Sequence, residues 1–393
     1  MKRGFMKKML LTALCFSALG FSSCDNDDNS SGPLPFPGTL ETDVQSLTFT
    51  CGNYYTQQIK VSAENVEWKA AGDAEWIEVE EIREPGSLDG VVTVSVKKNT
   101  GLQRSGSIIL SGKGFAPVAV GVEQKEAFVS DLIGEWTPSY VERTDPETGS
   151  VSKLYLQIVP TWKDPENIPQ MDASFILGLP AGTWMLPVSL VMDMAVGMVN
   201  PMVSNGLSAL NLRDDGTLGA RYRSMSFSED GVLSDLLNGT MIWSDEQLFP
   251  DEETLKVVPF DAVSYYTEGG KLFLSVSKRL LAALGPAEEG GDLCAQIDAW
   301  NAQYQLGIVS TAESYSLPLK YTKAGDGTLT VGIDRAMMMP FLPLLVELAS
   351  SLMPSDPEAT GGIDLSGMLP EILNAIFDNT TELTISIKLT TKA

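Results

Sequence analysis

The sequence predicts a mainly β chain with two folded units: a small sandwich over residues 39–127, and a larger antiparallel unit with helical insertions over 128–393. Three observations carry this. Short runs rich in β-branched residues alternate at period two from Leu47 onward, as half-buried strands do. Turn residues break those runs at the spacing of a sandwich, without a helical pattern between them. In the second unit, Asp215-Gly216 and Asp326-Gly327 are each followed by Thr-Leu, and Asp-Gly supplies the positive φ of a tight hairpin.

The chain opens with Lys2, Arg3, Lys7 and Lys8, an apolar run from Met9 to Leu19, and Ser22-Ser23 ahead of Cys24. These are the basic, apolar and small-residue parts of a secretory signal. The run is shorter than the roughly 20 apolar residues that a bilayer-spanning helix needs. Phe21-Ser22-Ser23-Cys24 resembles a lipobox, with Phe21 where Leu is usual. That resemblance implies removal of residues 1–23, acylation of Cys24, and a membrane anchor to which each buried methylene contributes about 0.8 kcal/mol. Asp25-Asn26-Asp27-Asp28 resembles the acidic export tag of Bacteroidetes-type lipoproteins, which implies the outer membrane and its cell-surface face. It also serves as the start of a solvated tether, residues 24–38, rich in Ser, Gly and Pro from Asn29 to Gly38.

The first unit contains Leu47 to Thr50, Gln58 to Val61, Val92 to Val96, Gly106 to Leu110 and Val118 to Val122 as strands. Trp68, Trp76-Ile77-Glu78-Val79, Val92 to Val96 with Lys98-Asn99, Arg104-Ser105-Gly106 and Val120 to Gln124 together resemble a BACON domain. The resemblance covers about 80 residues and implies an immunoglobulin-like sandwich of surface glycan-related proteins, serving as a spacer or a carbohydrate-binding module. Trp68 and Trp76 lie in alternating strands, where such rings are usually core. Tyr54 and Tyr55 follow Gly52-Asn53 in a turn and are the better candidates for glycan contact.

In the second unit, Leu132, Gly134 and Trp136 resemble the first strand of lipocalin-like (calycin) domains. That resemblance implies an antiparallel β-barrel closed at one end by the Trp. Lys153 to Val159, Ala209 to Leu212, Ala220 to Arg223, Gly239 to Trp243, Lys271 to Val276, Leu317 to Tyr321, Thr328 to Ile333 and Leu383 to Leu389 read as a strand meander. The remaining length goes into helices. Leu293, Ile297, Trp300 and Tyr304 share a helical face. Leu365, Met368, Leu369, Ile372, Leu373, Ile376 and Phe377 form an amphipathic stripe. Met185 to Met202 and Met337 to Met353 are apolar nearly all round, more than one helix face can bury against a sheet. They are expected to wall or cover a cavity for an apolar or amphipathic ligand, with Trp136, Trp184 and Trp243 as aromatic lining and Met194 and Met338 behind them.

Composition narrows the chemistry. The chain has 27 Lys+Arg against 51 Asp+Glu, and loss of residues 1–23 removes four basic and no acidic residues, leaving a formal charge of −28. Such a surface repels phosphate backbones, so nucleic acid is not an expected partner. The absence of histidine excludes Ser-His-Asp and Cys-His catalysis and His-ligated zinc. Cys51 and Cys294 sit one in each unit, which is no disulfide framework. Ser275-x-x-Lys278 matches a serine acyl-enzyme pattern, but it falls at a strand end, where residues three apart face opposite sides. The doublets Glu80-Glu81, Glu252-Glu253 and Glu288-Glu289 lie in polar, turn-rich stretches and read as solvated. No metal or cofactor motif is present. The expectation is a membrane-anchored, non-catalytic binding protein for a small apolar ligand or polysaccharide; a structural or adhesion component is the alternative.

Overall fold

The computed structural model describes residues 38–113, 115–144, 149–174, 179–180, 182–226, 235, 240–251, 262–284, 293–344 and 373–391. The signal, Cys24 and most of the tether lie outside the described residues, as do Leu365, Met368, Leu369, Ile372, Glu252-Glu253 and Glu288-Glu289. Among the described residues, no helix is long and apolar enough to cross a membrane.

The first unit has eight strands: β1 (Thr39–Thr42), β2 (Ser46–Phe49), β3 (Gln57–Glu64), β4 (Trp68–Gly72), β5 (Ile77–Ile82), β6 (Gly90–Val96), β7 (Arg104–Gly112) and β8 (Val118–Gln124). They form two four-stranded sheets, ordered β1-β3-β6-β5 and β2-β8-β7-β4. The expected alternation is visible along β3, where Ile59, Val61 and Ala63 are buried and Gln58, Lys60 and Ser62 exposed. One core fills the space between the sheets, built on Ile59, Val92, Val94, Ile108, Leu110 and Val120. Trp68 is 1% exposed and donates its indole N–H to the Leu88 carbonyl at 2.7 Å. Trp76 packs at the edge of the same core. Trp68 is therefore core, as its strand position suggests, whereas Trp76 sits in the turn just before β5, half-buried at the core's edge under Arg104.

The second unit runs β9 (Gly134–Ser139), β10 (Val141–Thr144), β11 (Val151–Leu154), β12 (Leu156–Trp162), β13 (Gln170–Asp172), β14 (Met185–Pro187), helix α1 (Val188–Gly206), β15 (Leu207–Leu212), β16 (Leu218–Tyr222), β17 (Met225–Ser226), β18 (Ile242–Trp243) and β19 (Gln247–Phe249). It continues with β20 (Val263–Glu268), β21 (Lys271–Ser277), α2 (Lys278–Leu284), α3 (Leu293–Tyr304), β22 (Val309–Ser310), β23 (Ser314–Lys323), β24 (Thr328–Asp334), α4 (Arg335–Met338) and β25 (Thr380–Thr391). Nine of these strands follow one another as β19-β16-β15-β9-β25-β24-β23-β21-β20, with β12 also on β25 and β22 on β23.

This sheet curls. Leu212 near one end and Tyr265 at the other share a core with Leu132, Trp136, Leu272, Leu319, Leu329 and Leu389. The ends meet at a single bridge, Thr217 to Ser264, beside a bond from the Tyr265 N–H to the Gly216 carbonyl at 2.8 Å. No closed barrel is found among the described strands. The described strands form a curled sheet whose ends approach each other at the Asp215-Gly216 hairpin and through Phe249, which packs with Val263 and Val276.

Strand β25 organises the rest. From Thr380 to Ile387 one edge pairs with β12, and from Lys388 to Thr391 the same edge pairs with β9. The hairpin β10–β11 occupies the chain between those two partners. Strand β15 pairs with β9 only over Leu210–Leu212, so its first residues part from β9 while staying on β16, and α1 leads directly into them. Helix α1 buries Val188, Val191, Met192 and Val196 while Leu190 and Val199 remain exposed. Its polar residues fasten it: Asp193 takes both guanidinium nitrogens of Arg143 at 2.7 and 3.0 Å. The Asn200 carboxamide bonds the Tyr155 N–H at 2.6 Å and the Lys153 carbonyl at 2.9 Å, where β11 gives way to β12. In α3 the four residues of the expected face, Leu293, Ile297, Trp300 and Tyr304, are half-buried. Of the apolar stretch Met337 to Met353, residues through Leu344 are described; of the stripe ending at Phe377, the described part is helical over 373–379, with Ile376 and Phe377 buried.

Candidate functional site

Where β15 departs from β9 and β25 changes partner, the elements line an open, groove-like cavity of about 340 Å³. Its walls are Met202, Val203 and Gly206 from the last turns of α1, Leu207 from β15, Met225 and Trp243 from the β17–β18 pair, and Ile387 from β25, with Arg223. The size falls within the range of small-molecule sites, and so does the makeup, an apolar lining with one polar group. Ile387 packs against the core around Trp136, while Ile385 and Leu383 on the same face pack against the cluster of Val188, Met192, Met338 and Phe377. The cavity therefore lies at the seam between two cores.

Local sequence explains the walls. Gly206 ends the helix, and Leu207 is already extended, its N–H bonded to the Val203 carbonyl. A Cβ at Gly206 would stand 3.1 Å from Trp243 Cζ3, so the glycine lets the indole edge approach the backbone. Met225 pairs with Trp243 across the β17–β18 ladder, and the Ser224 and Ser244 hydroxyls bond at 3.1 Å beside it. Arg223 bonds its backbone N–H to the Gly206 carbonyl at 2.8 Å and is exposed to solvent.

Of the five residues expected to line a cavity, the structure brings only Trp243 to this one. Trp136 is 1% exposed, with its indole N–H on the Leu132 carbonyl at 2.7 Å, and it fills the core rather than facing a cavity. Trp184 and Met194 pack together with Ala173, Leu186 and Val191 beside β14. Met338 is buried against Ile376 and Phe377. Each of these side chains packs within a core cluster instead of lining this cavity. Leu207, Met225, Arg223 and Ile387 were not anticipated. Met202 alone carried a signal, as the end of the apolar run.

The turn with Tyr54 and Tyr55 makes a different kind of site, a joint between the two units. Tyr55 is 8% exposed and half of Tyr54 remains in solvent. Both rings approach the Arg213 guanidinium, at 5.5 Å for Tyr54 and 5.4 Å for Tyr55, and Arg213 also bonds the Tyr55 hydroxyl. The Tyr54 hydroxyl donates to Asp214 at 2.5 Å, and Lys98 pairs with the same carboxylate. Asp215, 7% exposed, accepts from the Thr50 hydroxyl at 2.7 Å and from the Thr217 hydroxyl at 2.6 Å and N–H at 3.0 Å. The Lys98 bond holds the Asp214 carboxyl below its ordinary value. Burial first, and then the Asp214 carboxylate, push the Tyr54 phenol up to about 12. Burial lowers the Arg213 guanidinium and raises the Cys51 thiol.

This turn is supported by the motif residues. The Gln124 side chain, 0% exposed, donates to the carbonyls of Gly52 at 3.2 Å and Lys97 at 3.1 Å and accepts from Arg104 Nε at 2.8 Å. Asn99 donates to the Leu102 and Lys125 carbonyls at 2.8 and 2.9 Å. Residues 66–125 match the BACON family model, described as "Putative binding domain, N-terminal". The first domain is BACON-like.

A search of curated proteins finds no match. Among solved structures, a Bacteroides ovatus GH5 xyloglucanase in complex with a XXXG heptasaccharide aligns at 16% identity and TM-score 0.19, over 29% of this chain and 30% of that one. The Yersinia pseudotuberculosis adhesin InvE aligns at 11% identity and TM-score 0.17, over 83% and 84%. At these scores neither alignment carries information on fold or function.

The BACON-like domain has a second, polar groove of about 480 Å³ at its β4 edge, lined by residues that include Trp68, Glu81, Arg83 and Lys113. The Arg83 guanidinium lies 3.8 Å over the Trp68 ring, so that face is covered. Ser275 and Lys278 in the second unit take separate partners. The Ser275 hydroxyl bonds Ser316 at 2.7 Å, while Lys278 bonds Ser310 at 3.1 Å and lies 4.4 Å over the Tyr315 ring. Among the described residues, no group of three His, Cys, Asp or Glu could hold a metal.

Proposed function

We propose that this chain is a non-catalytic binding lipoprotein, anchored through acylated Cys24 at the outer membrane and facing the cell surface. The second domain, a curled relative of the lipocalin-like arrangement, holds a small apolar or amphipathic ligand, and the BACON-like domain sets its distance from the membrane. The cavity of about 340 Å³ between α1, β15, β18 and β25 supports this reading most directly, since its walls are apolar and it stands beside solvent. Surface glycan-related proteins use BACON domains as spacers or binding modules. The spacer role fits better here, because Tyr55 and the faces of Trp68 and Trp76 are already covered by Arg213, Arg83 and Arg104.

The test is a titration of the full chain with fatty acids, sterols, bile acids and oligosaccharides, followed by tryptophan fluorescence and melting temperature. An apolar or amphipathic compound is expected to shift both, and the fluorescence change should be lost in Trp243→Phe. If no compound shifts either signal, the alternative of a structural or adhesion component replaces this reading. The anchor has its own test: Cys24→Ala should abolish acyl labelling and membrane retention, and retention after a carbonate wash would refute lipidation there.

A further inference from the structure

Arg223 is the one charged residue among the cavity's lining, and its guanidinium has no hydrogen-bond or ion-pair partner among the described residues. The contrast with its strand neighbour is direct, because Arg221 is held by Glu135 at 2.6 Å. Arg223 is exposed and its backbone N–H is bonded to Gly206, which places this residue on the rim of the open apolar groove.

We infer that the ligand is an amphipathic monoanion: an apolar body between Met202, Leu207, Met225 and Ile387 and against the Trp243 ring, with a carboxylate, sulfate or sulfonate on Arg223. This rests on the cavity being a ligand site and names the class it takes. A guanidinium presents paired donors that match such oxyanions. The end of α1 opposes an anion only weakly. Its partial negative charge is about half an elementary charge, and two of its carbonyls are already bonded, Val203 by Leu207 and Gly206 by Arg223. A full cation at the mouth outweighs it. The outer end of the cavity, being open, also leaves the anionic group partly hydrated, which limits its desolvation cost.

The two halves of the claim separate with a matched pair of fluorescent probes, 8-anilino-1-naphthalenesulfonate and N-phenyl-1-naphthylamine, which differ by the sulfonate alone. The full chain should bind the sulfonate the more tightly, with energy transfer from Trp243. Arg223→Met should weaken the sulfonate by roughly tenfold, as loss of a charged hydrogen bond does, and leave the neutral probe unchanged. Arg223→Lys should restore most of the difference, and added salt should reduce it. Val203→Phe, which fills the chamber, should weaken both probes. If both probes bind and Arg223→Met alters neither or both alike, the anion assignment is wrong while the cavity stands. If neither probe binds the full chain, or Val203→Phe changes nothing, the cavity itself is not the site.

Discussion

The joint between the two domains and the cavity at the end of α1 are built with opposite chemistry. At the joint, the buried polar groups of Thr50, Tyr55, Asp215 and Thr217 find partners in one another and in Arg213. At the cavity, apolar side chains from five elements face one another across about 340 Å³, and the lone cation at its edge has no partner among the described residues. The difference separates structural from binding roles. A polar cluster that satisfies itself has little left to offer a ligand, whereas apolar walls that do not meet can still gain by covering one another through a third body.

That contrast yields an ordered set of expectations. The largest effect belongs to Asp215→Ala, which strands the Thr50 and Thr217 donors in a buried place and should lower the unfolding free energy by about 3 kcal/mol. Urea unfolding of the full chain measures it, and probe binding at the cavity should be unchanged where the variant is folded. A smaller loss, about 1 kcal/mol, is expected for Tyr55→Phe, which removes one buried hydroxyl at the same joint. A wild-type unfolding midpoint for both variants would mean that the joint does not contribute to folding stability.

Gly206→Ala sharpens the other side of the comparison. The new methyl meets Trp243 at 3.1 Å, so the ring that lines the cavity must shift slightly. Probe affinity should fall severalfold, while stability moves by under about 1 kcal/mol, since alanine is the better helix residue. Equal binding to the variant would place the ligand away from the indole.

The smallest effect is in pH. Asp214 has its carboxyl lowered by Lys98, so the joint's contribution is present above the ordinary Asp value, about 3.9, and is lost as pH falls below it. Tyr54 is raised to about 12, so the folded state keeps a proton that the unfolded chain releases near 10, and stability declines as pH rises through that window. Unfolding midpoints of wild type and Lys98→Met between pH 3 and 7 should converge at the acid end. Curves that stay parallel would remove Asp214 from the joint.

The two regions also differ in how far the sequence reveals them. The sandwich strands were legible because pleating imposes alternation residue by residue, and Trp68, placed on an alternating strand, is core as that pattern requires. The BACON resemblance was legible for a related reason: Asn99, Arg104 and Gln124 form a local network at one end of the sandwich. The joint was not legible. Tyr54 and Tyr55 sit in a turn without periodicity, and the partner of Tyr54, Asp214, is 160 residues away. The Asp215-Gly216 hairpin was visible as a turn, but its docking surface was not. At the cavity, aromaticity alone could not rank Trp136, Trp184 and Trp243, because ring direction depends on how β9, β14 and β18 meet α1 and β25. Arg223 follows a strand and carries no pattern of its own.

The central claim is that an apolar ligand enters the chamber between α1 and β25. Methyl spectra of the full chain labelled at methionine, with Trp243→Phe as reference for ring-current shifts, test it most directly, because Met202 and Met225 line the chamber while Met192 and Met338 lie in the neighbouring core. Titration with 8-anilino-1-naphthalenesulfonate should move the Met202 and Met225 signals together and leave Met192 and Met338 in place. Shifts at Met192 or Met338 without Met202 and Met225, or no methionine shift at saturating probe, would contradict the account.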